Sequence, residues 1–362
     1  MNPIEERLKD SLDAVARTLP PEAVPALRFP SRRAVRRRWL APAVAAMAVG
    51  AVVAGLQALP DRAPRRTPPP ATVPALGPAA TPPRYYVGAV AERPVAVYDT
   101  VTGRRTGTTT IGGIPKVAGT GDGRTFFAAT ERKVYRLRVT ADGKVGSVTP
   151  LTVHLSTGPD AIAASRDGTR LALAFQHGGS RPDKETSTIE VVDLTAKTTA
   201  TWRSGPAGTI LSLSLDPTGR TLAFAWQASA GHLAAQIRLL DLTSASRDLL
   251  AGPLVAGRSR TTMPVGPVAI SPDGQHVAAA VETIGQDGAD VLDYPLTPGP
   301  RPRVLLNGVP GGASEYFVLD FDPTGTNLLF SGGGYPMSRL ANGKVIRLGD
   351  ARDTDVESSA GW

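Results

Sequence analysis

The chain has 362 residues and no cysteine, so disulfides, thiolate metal sites and cysteine nucleophiles are excluded. Its formal net charge of +8 is uneven: residues 1–83 hold 12 basic and 6 acidic side chains, whereas residues 84–362 hold 28 and 26. The larger part therefore lacks the clustered basic face that nucleic-acid binding needs, and we expect no nucleic-acid partner.

A short amphipathic helix is predicted at residues 3–19. Asn2 can cap it, and Pro3 suits its first position because the missing N–H is not needed there. Its apolar side chains recur every three or four residues, at Ile4, Leu8, Leu12, Val15 and Leu19. Two interpretations stay open: the helix binds a cytoplasmic partner, or it rests on the membrane surface.

Residues 39–59 are predicted to cross a membrane as one helix, because these 21 residues carry no charge and about 20 apolar residues span the hydrocarbon core. Trp39 suits the membrane interface. The alternative is a cleaved twin-arginine signal, suggested by Ser31-Arg32-Arg33, but bulky apolar residues do not follow those arginines and no clean cleavage site follows the apolar run. We therefore expect a signal-anchor.

The orientation of this span follows from the arginines on its two sides. Those before it are Arg28, Arg32, Arg33, Arg36, Arg37 and Arg38. Those after it are Arg62, Arg65 and Arg66. The more basic side stays in the cytoplasm, so residues 1–38 are expected inside and the rest of a single-pass cell-membrane protein outside.

Residues 60–83 are predicted to form a proline-rich linker. Nine of the 24 residues are proline, which prevents a packed core and favours polyproline II. At ~3.1 Å per residue the linker reaches roughly 70 Å, so we expect it to hold residues 84–362 away from the bilayer.

A repeat dominates residues 84–362: a short apolar alternation, a turn containing glycine, then a second apolar run. Its five copies are centred on Gly123, Gly168, Gly219, Gly274 and Gly325, at spacings of 45, 51, 55 and 51 residues. Proline, aspartate and glycine in the turns, between runs of β-type residues, predict hairpins. Between the hairpins a second strand pair recurs, at 95–100, 134–137, 189–194, 237–242, 291–294 and 337–340.

Four strands in each 40–50 residues indicate one blade of a β-propeller. The copy Ser271-Pro272-Asp273-Gly274, followed by two variable residues and Val277-Ala278, resembles the TolB-type and WD40-like propeller repeat, although the Gly-His and Trp-Asp pairs of strict WD40 repeats are absent. The resemblance implies an all-β propeller of about six blades over residues 84–362. The richness in Ala, Arg, Pro and Gly resembles actinobacterial proteins.

The first unit has no innermost strand ahead of it, because the chain enters at Tyr85 with what reads as a second strand. We expect the tail, residues 355–362, to supply that strand and close the ring. Closure of this kind removes the exposed sheet edges.

No catalytic, cofactor-binding or metal-binding residue is predicted. The chain has neither the G-x-S-x-G of hydrolases nor a phosphate-binding loop, and Gly332-Gly333-Gly334 is predicted to be an ordinary loop. The histidines, at 154, 177, 232 and 276, lack metal-ligand spacing. The turn acids Asp122, Asp167 and Asp273 are interpreted as turn caps rather than metal ligands, and Trp202 and Trp226 as packing residues.

Three functions are compatible with this organisation. The first is a non-catalytic module that binds or senses a protein or small ligand outside the membrane. The second is a membrane-bound, anti-sigma-like regulator whose helix 3–19 binds a cytoplasmic partner. The third is a propeller lactonase or hydrolase, for which no catalytic motif was found. The first is preferred, and no cofactor is expected.

Overall fold

A computed structural model describes residues 81–89, 93–177, 186–229, 235–259, 262–283, 289–297, 300–309, 318–332, 335–348 and 359–362. The predictions for helix 3–19, the arginine cluster, the span 39–59 and nearly all of the linker 60–83 lie outside these residues and stay predictions. Over the described part of the chain, the structure contains no helix with the length and apolar character needed to cross a membrane.

Six four-stranded antiparallel sheets form the blades of the propeller. Blade 1 comprises β24 (Ser359–Gly361), β1 (Tyr85–Ala89), β2 (Val95–Asp99) and β3 (Arg105–Thr109). Blade 2 comprises β4 (Lys116–Gly119), β5 (Thr125–Ala129), β6 (Val134–Val139) and β7 (Val145–Pro150). Blade 3 comprises β8 (Ala161–Ala164), β9 (Arg170–His177), β10 (Thr186–Asp193) and β11 (Thr198–Arg203). Blade 4 comprises β12 (Gly208–Leu215), β13 (Thr221–Ala228), β14 (Ala235–Asp241) and β15 (Leu254–Ala256). Blade 5 comprises β16 (Thr262–Ile270), β17 (His276–Thr283), β18 (Ala289–Pro295) and β19 (Arg303–Val309). Blade 6 comprises β20 (Val318–Phe321), β21 (Asn327–Gly332), β22 (Tyr335–Ala341) and β23 (Lys344–Arg347). A 3-10 turn lies at Leu249–Ala251.

The second strand of each blade carries the apolar core between blades. In β9, β13 and β17 five consecutive residues are buried, because each strand is covered on both faces by neighbouring blades. The fourth strands β7 and β23 are mostly exposed. The predicted all-β propeller of six blades is confirmed.

The five predicted hairpins between first and second strands are confirmed, and all have the turn glycine at a positive φ. Their glycines have φ between +64° and +70°, a region that other L-residues seldom enter. In the best copy Gly274 donates its N–H to the Ser271 carbonyl (2.9 Å), and Ser271 donates to the His276 carbonyl (2.9 Å). Each hairpin brings the end of a first strand to the same face of the propeller, which we call the turn face.

The turn acids act as caps, as predicted. Asp122 Oδ1 accepts the N–H groups of Arg124 and Thr125 at 2.7 and 2.6 Å. Asp167 and Asp273 each accept a backbone N–H two residues further on. Their carboxylates therefore stabilise the turns.

The tail closes the ring, as predicted. β24 pairs antiparallel with β1, with Val87 opposite Gly361 and Ala89 opposite Ser359. The Ser359 hydroxyl also accepts the N–H of Val117 (2.7 Å) and donates to its carbonyl (3.0 Å), which ties β24 to the first strand of blade 2. Blade 1 is therefore completed by residues from both ends of the propeller.

One loop prediction needs a correction. Gly332 of the predicted loop Gly332-Gly333-Gly334 is the last residue of β21 and pairs with Tyr335 of β22. The strand therefore includes the first glycine of the predicted loop, because a residue without a side chain can still pair through its backbone. Gly333 and Gly334 lie outside the described residues.

Candidate functional site: the mouth of the central channel

The first strands of the six blades surround a cavity of about 110 Å³ on the propeller axis. Every one of these strands, β24, β4, β8, β12, β16 and β20, or the turn that follows it, contributes to its wall. The cavity reaches the turn face, because turn residues such as Gly121, Pro217 and Pro272 belong to its lining. A propeller usually binds its ligands at the channel or on a face that the channel opens onto.

The six first strands differ at one ring of equivalent positions, and the residues of four blades at this ring line the cavity. These positions lie two residues before each turn begins, and in blade 1 the pairing of Gly361 with Val87 identifies the equivalent residue. They are occupied by Ala118, Ala163, Ser214, Ala269, Asp320 and Gly361. Five blades thus have a small uncharged residue where blade 6 has a carboxylate.

Asp320 is held by the residue that closes the ring. Its Oδ2 accepts the backbone N–H of Trp362 (3.1 Å), and its carbonyl accepts the indole N–H of the same residue (3.0 Å). Burial raises the pKa of Asp320 to about 7; the Trp362 N–H opposes this, Asp322 raises the pKa further and Arg166 lowers it. A carboxyl with a pKa near neutrality in a cavity is typical of functional sites.

Arg166 lies across the mouth of the channel. In the turn of blade 3 it occupies the position that proline holds at 217, 272 and 323. Its Nη2 donates to the carbonyl of Pro323 (2.7 Å), which belongs to blade 6 on the opposite side of the ring. Burial lowers the pKa of Arg166, whereas Asp322 and Asp320 raise it. We call this side chain the arginine strap.

A second acid beneath the mouth, Asp322, is fully buried and used by its own turn. Oδ1 accepts the N–H of Asn327 (3.0 Å), and Oδ2 accepts from the Asn327 amide and the Thr324 hydroxyl, both at 2.8 Å. Asp322 therefore adds negative charge at the mouth and keeps the turn rigid, while Asp320 lines the cavity itself.

The histidines do not come together. His154 is exposed, His177 contacts Thr188 (2.8 Å), and His276 lies 3.6 Å from Asp293, which pairs with Arg303 (2.7 Å). His232 lies outside the described residues. Across those described, no group of three or more His, Asp or Glu side chains is placed to hold a metal ion.

The two tryptophans singled out from the sequence pack inside the blades, as predicted. Trp202 is 1% exposed and Trp226 is 4% exposed. Neither belongs to the channel wall.

Sequence reasoning missed both charged residues of the site. Each stands out when the repeats are aligned on their turns: Asp320 replaces a small residue, and Arg166 replaces proline. That comparison was the signal that could have found them.

These features define a six-bladed β-propeller with an acid and an arginine at one channel mouth. Its fold is similar to that of TolB from Acinetobacter baumannii, with 17% identity, a TM-score of 0.55, and coverage of 77% of this chain and 65% of that one. This chain thus spans slightly under two thirds of that protein. TolB from Agrobacterium tumefaciens has 14% identity, a TM-score of 0.50 and coverage of 75% and 89%.

A structure of the nidogen/laminin complex is also similar, with 13% identity, a TM-score of 0.52 and coverage of 76% and 97%. No protein-family model and no curated protein matches the sequence. At these identities the likeness shows the fold alone, so the predicted resemblance to TolB-type propellers is confirmed as a resemblance of fold.

Proposed function

We propose that this protein is a non-catalytic binding module that recognises a partner protein through its turn face. The span 39–59 would anchor it in the cell membrane, and the linker 60–83 would hold the propeller outside. The similarity of fold to TolB and to a propeller from a protein complex supports a binding role, and the site residues below indicate where the partner docks.

One observation carries the proposal: the carboxylate of Asp320 occupies a ring position that is small and uncharged in the other five blades. Asp320 accepts the N–H of Trp362, but at the equivalent position of blade 4 the neutral Ser214 makes the same bond to Ile270, so this bond does not require a carboxylate. An acid whose pKa is raised destabilises the fold when it is ionised. Residues that break a local rule at a cost in stability are expected at functional sites. Arg166 breaks the turn pattern at the same mouth.

Photocrosslinking in living cells tests the docking face. A photoreactive phenylalanine derivative is placed at Thr218 or Gln275, both exposed on the turn face. The matched control is Arg132, which is exposed in the connection between β5 and β6 at the opposite end of those strands. We expect a defined crosslinked protein from the first two positions and none from the third. Equal crosslinking from both faces, or none from the turn face, would contradict the proposal.

The location is tested with a single cysteine, since the chain has none of its own. Val101 is 78% exposed in the hairpin between β2 and β3, so Val101→Cys gives an accessible thiol without disturbing the core. We expect a membrane-impermeant maleimide to label this variant in intact cells. Labelling only after lysis would place the propeller in the cytoplasm.

A further inference from the structure

We infer that the channel mouth binds the basic side chain of a partner polypeptide, with Asp320 as its counter-ion and the arginine strap as the group it displaces. The inference rests on the proposed function and specifies what enters the site. It would explain why the mouth carries its own arginine: Arg166 lies across the mouth, bonded to the Pro323 carbonyl, and its positive charge acts on Asp320.

The charges at the mouth favour a cation. The residues that line the cavity include two ionisable side chains, Asp320 and Arg166. Asp322 adds a second negative charge that acts on both. If Arg166 swings out, Asp320 loses the cation that lowers its pKa, and an incoming ammonium or guanidinium can take that place. Asp322 remains bonded within its own turn and interacts with Arg339. An anion attracted to Arg166 would instead meet both carboxylates.

Arg166 is placed to leave. Arg166 is partly exposed, although burial of part of its side chain lowers its pKa, and its one hydrogen bond to another described residue goes to the carbonyl of Pro323. The bond from Arg166 to the Pro323 carbonyl carries charge on the donor only, whereas a bond between an ammonium or guanidinium and a carboxylate carries charge on both partners and is stronger. A partner cation that reaches Asp320 directly therefore forms a stronger contact than the one Arg166 gives up.

The cavity suits a long basic side chain in size and lining. An apolar cavity of about 150 Å³ holds benzene, so 110 Å³ holds the terminal four or five heavy atoms of lysine or arginine. The surface that lines the cavity is mostly polar and includes Asp320, so it accommodates the charged head of such a side chain, whereas the side chains of Ile162, Leu213, Leu215 and Leu319 pack largely into the cores between blades.

The test is a titration of the full-length protein, labelled with ¹⁵N at its four tryptophans, in mild detergent. Trp362 reports on Asp320 through two bonds, because its backbone N–H contacts Oδ2 and its indole N–H contacts the carbonyl. The probes are three blocked tripeptides, Gly-X-Gly with lysine, arginine or norleucine at X, and a fourth with glutamate. Measurements are made at pH 8, above the pKa of Asp320.

We expect the lysine and arginine peptides to shift the Trp362 signals in a saturable way, and the norleucine and glutamate peptides to leave them unchanged. Asp320→Asn keeps an acceptor for the Trp362 N–H, and it should lower the affinity for the lysine peptide roughly tenfold or more. Arg166→Gln should raise the affinity for the lysine peptide, because this substitution removes the competing cation. Loss of fold would not move the two variants in opposite directions.

Absence of a Trp362 shift with both basic peptides overturns the inference, and so does an equal shift with norleucine. A shift with the glutamate peptide alone would identify an anion site and overturn it as well. The titration uses model peptides, so its failure would overturn only the basic side-chain site. Docking of a partner protein at the turn face is tested separately by the crosslinking experiment. Crosslinking can fail independently, so the two proposals are separable.

Discussion

Trp362 donates its backbone N–H to Asp320 Oδ2 at 3.1 Å and its indole N–H to the Asp320 carbonyl at 3.0 Å. Trp362 is also fully buried and accepts the N–H of Gly121 on its carbonyl at 3.1 Å. It thus links blade 6, the completed blade 1 and the first turn of blade 2. The contact that closes the ring is the same contact that positions the acid at the channel mouth.

The closing segment is therefore expected to be essential for folding. Trp362→Ala should lower the free energy of unfolding by about 3–5 kcal/mol, the usual result of truncating a buried tryptophan. Deleting residues 359–362 removes the first strand of blade 1 as well and should abolish cooperative unfolding. Thermal unfolding followed by circular dichroism measures both, and Val101→Ala at an exposed site serves as the neutral control. A deletion that unfolds like the wild type would refute closure by the tail.

Gly119 is predicted to be irreplaceable, because β4 and the closing segment meet there backbone to backbone. A Cβ at this position would lie 1.6 Å from the Trp362 carbonyl oxygen and 2.5 Å from its carbon. Backbone atoms held in a sheet cannot withdraw that far, so Gly119→Ala should destabilise the fold by about 3 kcal/mol or more. Gly112→Ala, where no atom lies within 4 Å, is the matched control and should be near neutral. Equal midpoints of Gly119→Ala and Gly112→Ala in chemical denaturation would show that Gly119 does not lie so close to the Trp362 carbonyl.

The turn glycines are predicted to matter through their backbone conformation. Gly274 has φ of +68° and open space around its Cβ position, so Gly274→Ala isolates the conformational cost of roughly 1–2 kcal/mol. Gly205 has open space too, but without a positive φ. Gly205→Ala should therefore leave the denaturation midpoint unchanged, whereas Gly274→Ala should lower it. The reverse order would contradict the positive φ of the turn glycines.

Replacing Asp320 is predicted to stabilise the protein as the pH rises. Its pKa rises from an ordinary value of 3.8 to about 7 in the fold, so the stability that depends on the neutral carboxyl is complete below pH 4 and lost by pH 7 to 8. Asp320→Asn should gain about 1–3 kcal/mol over the wild type at pH 8, discounted for partial exposure, and little at pH 4. Thermal unfolding of both proteins across this range measures the difference.

A carboxylate with the opposite shift provides the control. The hydrogen bond from Thr140 and the Lys144 side chain lower the pKa of Asp142 to about 2. Asp142→Asn should therefore show no gain at pH 8. A pH-independent difference between Asp320→Asn and the wild type would mean that the carboxyl is not perturbed in the fold.

The sequence predicted the six blades, the five turns and closure by the tail because these features depend on local chemistry. Glycine at a positive φ, aspartate caps and buried apolar runs act within a few residues and leave a periodic pattern. The tail was recognised because blade 1 lacked a first strand and every sheet edge needs a partner.

The site was not predicted, because it depends on which first-strand side chains face the axis and on contacts between distant blades. Asp320 and Trp362 are 42 residues apart, and Arg166 and Pro323 are 157 residues apart. Spacing along the chain gives no sign of such contacts. Only the ring arrangement brings blades 3 and 6 face to face across the channel.

The most direct test of the account combines stability and partner binding in one variant. With the photoreactive residue at Thr218, crosslinking to the partner is compared between wild type and Asp320→Asn at equal protein level and pH 8. We expect the variant to unfold at a higher temperature than the wild type and yet to give less crosslinked partner. An unchanged yield from the more stable variant would show that Asp320 serves neither folding nor binding, and would contradict the assignment of the channel mouth as the site.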